Sequence, residues 1–180
     1  MTQFVDRMIR AAKLDVQVYE EVEADKSAMS QAMGVVVLSS VAGGIGFMQE
    51  SGLTGLLIGT VMSLLGWYVW AFLTYLIGTK LLPEPQTSAD HGELLRTIGF
   101  SSSPGMIRIF GIIPGLGPIV NILASLWMLV AMVIAVRQAL DYHSTYRAIG
   151  VCIIGWIVQA VIIGLIFTMM GGPPEPMLDN

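Results

Sequence analysis

Charge is what this sequence has least of. Aspartate, glutamate, lysine and arginine make up only 12% of its 180 residues, about half the share found in an ordinary soluble domain. That scarcity excludes a conventional water-facing surface. The net charge of −4 excludes the basic field on which nucleic-acid binding depends. Cysteine is nearly missing: Cys152 is the single one and lies in an apolar run, so neither a disulfide framework nor a thiolate metal site can form within one chain. No short basic stretch precedes the first apolar run, which instead follows an acidic segment; a cleavable signal peptide is not expected. What remains is hydrophobic, at 54% of residues with a mean hydropathy of +0.73. Those values place the chain in the membrane class, and its length suits one compact bundle.

The stretch that governs topology is 109–136, which carries no charge and is bracketed by Arg108 and Arg137. It exceeds the roughly 20 residues needed for one crossing and falls short of two. It also contains Pro114-Gly115-Leu116-Gly117-Pro118, which a regular helix does not carry through. Either 104–137 is one broken helix in a four-span protein, or 114–118 is a turn in a five-span one. Basic residues near spans collect on the cytoplasmic side. With five spans and the N-terminus inside, all nine, Arg108 included, face the cytoplasm, and the outer segments 49–52, 114–118 and 171–180 hold none. Five spans are therefore expected, at about 30–49, 53–79, 95–113, 118–140 and 146–170. The third is expected to be short or kinked, with Arg108 snorkelling to the headgroups.

Residues 1–26 read as a cytoplasmic amphipathic leader of two short helices, with Phe4, Met8 and Ile9 on one side, Arg7 and Arg10 facing away, and Asp15 as the cap of the second helix. The leader can lie in the membrane interface or pack beneath the bundle. Between spans two and three, Pro83 and Pro85 stop a helix, and Asp90 with Glu93 reads as a capping pair that starts the next. A metal site from Asp90, His91 and Glu93 is the weaker reading of the same residues. Arg137 and Asp141, four apart, are placed to pair on one helix face. The tail 171–180, rich in Gly and Pro, is expected to be disordered.

Small residues recur at every fourth position. Ser40 and Gly44 mark the first span, and Gly55, Gly59 and Ser63 the second. Ala131 and Ala135 (then Ala139) mark the fourth, Ala160 and Gly164 (then Thr168) the fifth. Such stripes let membrane helices approach closely and read as packing seams. Trp67, Trp70, Trp127 and Trp156 lie toward the middle of their runs, away from the interfaces where tryptophan anchors, and are expected to fill the bundle interior. Arg108, Asn121 and Gln159 are the candidate intramembrane polar residues.

The segment GELLRTIGFSSSPGMIRIFGIIPGLGP, followed by LWMLVAMVIAVRQALDY and then RAIGVCIIGW, resembles the YIP family of Ypt/Rab-interacting membrane proteins, in its prokaryotic branch. The resemblance covers the last three spans well and the first two in placement and length. It implies five spans with a cytoplasmic N-terminus. Eukaryotic members bind prenylated Rab GTPases in vesicle traffic and carry an Asp-Leu-Tyr-Gly-Pro motif before the first span. This chain has no such motif, so binding of a Rab-type GTPase is not carried over.

The sequence thus predicts an all-α integral membrane helical bundle of five transmembrane helices, multi-pass in the cell (cytoplasmic) membrane, with the C-terminus outside. No paired carboxylates, activated nucleophile or metal-ligand spacing is visible in the spans, so no catalytic, cofactor or metal residues are expected. The leading functional expectation is a non-catalytic scaffold or assembly partner, its partners being the lipid bilayer and a protein or second copy met through small-residue faces. The alternative is a small transporter or channel with Arg108, Asn121 and Gln159 at its site.

Overall fold

The computed structural model describes residues 2–46 and 48–169, all helical or in turns and connecting loops. The leader forms α1 (Gln3–Ala12) and α2 (Val16–Ala24). Then come α3 (Met29–Gly46), α4 (Met48–Leu76, continued by a π-helical turn through Leu81), α5 (His91–Phe100), α6 (Gly117–Ala139) and α7 (Thr145–Met169). Four helical stretches are long and apolar enough to cross a membrane: Lys26–Ile45, Gly52–Leu81, Gly117–Ala139 and Thr145–Ile162. Their outward side chains are apolar, as with Leu57, Ile122 and Leu165, each about 60% exposed. In water that surface would be a liability; hydrocarbon suits it.

Local signals explain the boundaries. Asp15 caps α2 by accepting from the Gln17 amide, and Asp90 with Glu93 forms a reciprocal capping box at α5. Gly52 takes a φ of +60°, which a Cβ disfavours, and the chain folds back so that Gly44 of α3 meets Leu56 of α4. Gly115, at φ +84°, makes the turn expected at 114–118, and Pro118 falls in the first turn of α6, where its missing N–H costs nothing. The tail 171–180 lies outside the described residues.

The expected third span, 95–113, is not one helix. It is α5 followed by a 3-10 helix, Ser103–Ile112, hereafter the narrow segment. Ser101-Ser102-Ser103 leads into Pro104, which has no N–H to donate to the Phe100 carbonyl four residues back, so α5 ends there, and the Ser103 hydroxyl donates to that carbonyl instead at 2.7 Å. Every residue from Leu94 to Phe100 is buried, so α5 is the hub of the fold, packed by α2, α3, α4 and α6. The narrow segment lies between α3 and α6. A slimmer helix allows closer approach there, and at Gly105 a Cβ would collide with Ser39 and Met128.

The leader packs beneath the bundle. Arg7, expected on the outer side, is only 2% exposed. α2 and the start of α3 fold over it, and it donates to Glu21 (2.8 Å), Asp25 (2.8 Å) and Gln31 (3.2 Å). From the other side, Arg96 of α5 donates to the last carbonyls of α2, Val22 (2.9 Å) and Glu23 (3.1 Å), satisfying groups that a helix end leaves open. Val18, Tyr19 and Val22 are fully buried against this surface.

Three expectations change. Arg137 does not pair with Asp141: α6 ends at Ala139 and Asp141 takes a φ of +52°, so helical spacing no longer applies and Arg137 donates to the Tyr142 carbonyl instead. Trp127 and Trp156 are 38% and 50% exposed and do not fill the interior. Trp70 does, and Trp67 is half-buried with its indole donating to the Leu95 carbonyl at 3.0 Å. Arg108 is not at the basic end of the bundle. Its side chain lies against Gly43, about 14 Å along α3 beyond Gly34, where Phe4 of the leader packs.

Candidate functional site

Beyond the Gly44–Leu56 contact, α3 and α4 part and leave a cavity of about 450 Å³. Ser39, Ser40 and Gly43 of α3 form one wall, and Gly55, Gly59 and Ser63 of α4 another. Trp67, Trp70, Met132 and Trp156 also line it. Trp70 is fixed by its indole donating to the Met132 sulfur at 3.2 Å and by a tilted contact with Trp156. Arg108 from the narrow segment and Gln159 from α7 complete the lining.

Two of the three polar residues picked from sequence therefore meet in one cavity. Asn121 stands one turn before Ser125 on α6, outside the described walls. Arg108 Nη2 donates to Ser125 Oγ at 3.2 Å, and its Nε is buried without a hydrogen-bond partner. Among the described side chains no carboxylate pairs with this guanidinium.

The small-residue stripes divide. Gly44 meets Leu56, and Ala131 and Ala135 are fully buried. Gly59 has nothing within 4 Å of where a Cβ would stand; with Ser40, Gly55 and Ser63 it lines open space rather than a seam. On α7, Ala160 and Gly164 are exposed, and Gly164 has no neighbour within 4 Å either. Other close helix contacts fall outside the stripes: Gly99 against the Ala32 backbone, Gly78 against Leu140, and Gly105 against Ser39. Repetition at four-residue spacing would not have found these, because each is a single glycine.

At the leader end a second cavity is lined by Glu20, Glu23, Glu93, Asp141, Arg137 and His143. Burial first, then the charges of Asp141, Glu93 and Glu20, push the Glu23 carboxyl up to about 7, against the opposing pull of Arg96. The folded chain thus holds a proton there that the unfolded chain has already lost, between the ordinary value of 4.5 and about 7. Stability should fall as pH rises through that window and stay lower above it. Glu23→Gln should flatten this slope and add about 1 kcal/mol at pH 8, after discounting for solvent screening at a half-exposed site. Thermal melts of both proteins in detergent at several pH values check this; parallel curves would refute it. His91 makes no metal cluster with its neighbours among the described residues. Its ring is boxed edge-on by Tyr68 at 5.0 Å and Phe72 at 5.7 Å.

No family model, curated protein or solved structure matches this chain.

Proposed function

We propose that this chain is a five-span integral membrane protein of the YIP type, in the cell membrane with its N-terminus in the cytoplasm, and that it acts as a non-catalytic scaffold or assembly partner. Four long apolar helices support the membrane reading. The fifth pass is assigned to α5 plus the narrow segment, about 15 Å and 20 Å long, together enough for a bilayer core of roughly 30 Å. Reporter fusions after Leu82, Tyr142 and Asn180 are expected to read inside, inside and outside. A cytoplasmic signal at Asn180 or an outer one at Tyr142 would sink the five-span topology.

The observation that carries the scaffold reading is the bare face of α7, where Ala160 and Gly164 meet no helix of their own chain among the described residues. Small residues facing lipid gain nothing there; facing another helix they allow backbone contact. In a chain with Cys152→Ala, cysteines at 160 and 164 should cross-link in native membranes to a protein or second copy, while one at Leu165 should not. Equal yields at all three positions would count against a scaffold face. A second reading, passage of a polar solute, is favoured by the Arg108–Gln159 cavity. Saturable uptake into proteoliposomes, lost in Arg108→Ala, would place that reading first.

A further inference from the structure

We propose that the cavity at Arg108 holds the phosphate of a membrane phospholipid, with the lipid's acyl chains lying in the groove between α6 and α7. Three features converge. The first is unspent donor capacity: Arg108 spends one hydrogen bond of its terminal nitrogens, on Ser125, and has no described carboxylate beside it. The planar guanidinium fork matches phosphate oxygens, and an anion there removes the cost of a lone charge inside the bilayer.

The second is room with the right lining. Ser40, Ser63 and Gln159 border the space, and glycines leave it open. The third is that the polar cavity shares Arg108, Met128, Met132 and Trp156 with a neighbouring one of about 370 Å³. That one in turn shares Leu129 and Trp156 with a wholly apolar groove of about 520 Å³, formed by α6 and the start of α7. A cation at one end and adjoining apolar space at the other fit an amphipathic anion. A free phosphate would leave the apolar part unused.

The inference depends on the membrane reading but not on the scaffold face of α7, so the cross-links above can fail while it stands. The test uses the delipidated full chain in maltoside detergent, titrated with phosphatidylglycerol brominated in its acyl chains. Bromine in the groove should quench the tryptophan fluorescence, Trp156 lying in its wall, and native mass spectrometry should count one retained lipid per chain. Arg108→Gln should weaken binding about tenfold or more, the loss of one or two charge-assisted hydrogen bonds. Gly59→Leu, whose side chain enters empty space, should also abolish it while leaving the melting temperature unchanged, and it decides the matter if Arg108→Gln does not fold. Inorganic phosphate should not compete at millimolar concentration. Undiminished lipid binding in Gly59→Leu or in a folded Arg108→Gln would overturn the proposal. Competition by inorganic phosphate as strong as by the lipid would overturn the lipid assignment in favour of a free anion.

Discussion

Gly99→Leu should lower the melting temperature of the purified chain by roughly 10 °C, while Gly59→Leu leaves it unchanged. At Gly99 a Cβ would stand 2.8 Å from the Ala32 Cβ and 3.1 Å from its carbonyl oxygen. The obstruction is backbone as well as side chain, so no rotamer change relieves it. Overpacking of this kind costs about 3 kcal/mol, which for a chain of this size corresponds to several degrees up to about 10 °C. The site also lies in the fully buried stretch of α5, so displacing it disturbs the contacts of α2, α3, α4 and α6 together. Gly99→Ala, a smaller intrusion, should cost about 1 kcal/mol. Gly59 has nothing within 4 Å, and leucine there meets only space. Paired melts of the variants decide it: equal loss in both would mean that the α3–α4 gap is closed in solution, and no loss at Gly99 would mean that α5 is not the hub.

Arg7→Ala should release the leader from the bundle without unfolding the spans. The guanidinium ties α1 to Glu21 and Asp25 at 2.8 Å each and to Gln31 at 3.2 Å. Removing one partner of a buried pair costs about 3–5 kcal/mol. With the carboxylates half-exposed here, about 2 kcal/mol is expected, or a roughly thirtyfold rise in the open form. Limited trypsin digestion reports this directly, since cleavage at Arg10, inside α1 and paired with Asp15 and Glu21, requires α1 to lift. Cleavage should accelerate in Arg7→Ala while the membrane fragment stays intact. The acidic partners give the same contact a pH dependence. The Ser27 hydroxyl and then Arg7 hold the Asp25 carboxyl down to about 2, and Arg7 lowers Glu21 as well. Both are depressed, so their contribution is present at neutral pH and is lost as pH falls through the lowered values. An unchanged digestion rate in Arg7→Ala would mean that apolar packing of Tyr19 and Val22 holds the leader by itself.

The sequence by itself determined what depends on neighbours along the chain. Scarce charge and long apolar runs gave four helices long and apolar enough to cross a membrane, because the cost of burying charge in hydrocarbon is a property of composition. Side chains and backbone a few residues apart made the ends of elements readable, as in the Asp15 cap, the Asp90–Glu93 box and the turns at Gly52 and Gly115. The tertiary structure decided whatever depends on which element lies opposite. A glycine permits close approach but does not compel it: Gly44 found a helix, Gly59 found a cavity, and the isolated Gly99 came closest to a neighbouring backbone. Arg7 read as solvent-facing until Glu21 and Asp25 closed over it. Arg108 read as an anchor at the basic end until the buried α5 set it beside Gly43 and Ser125, facing Gln159 across the same cavity. Linear spacing fixes the face of a helix on which a residue lies. Only the packing of several helices around α5 fixes what that face meets.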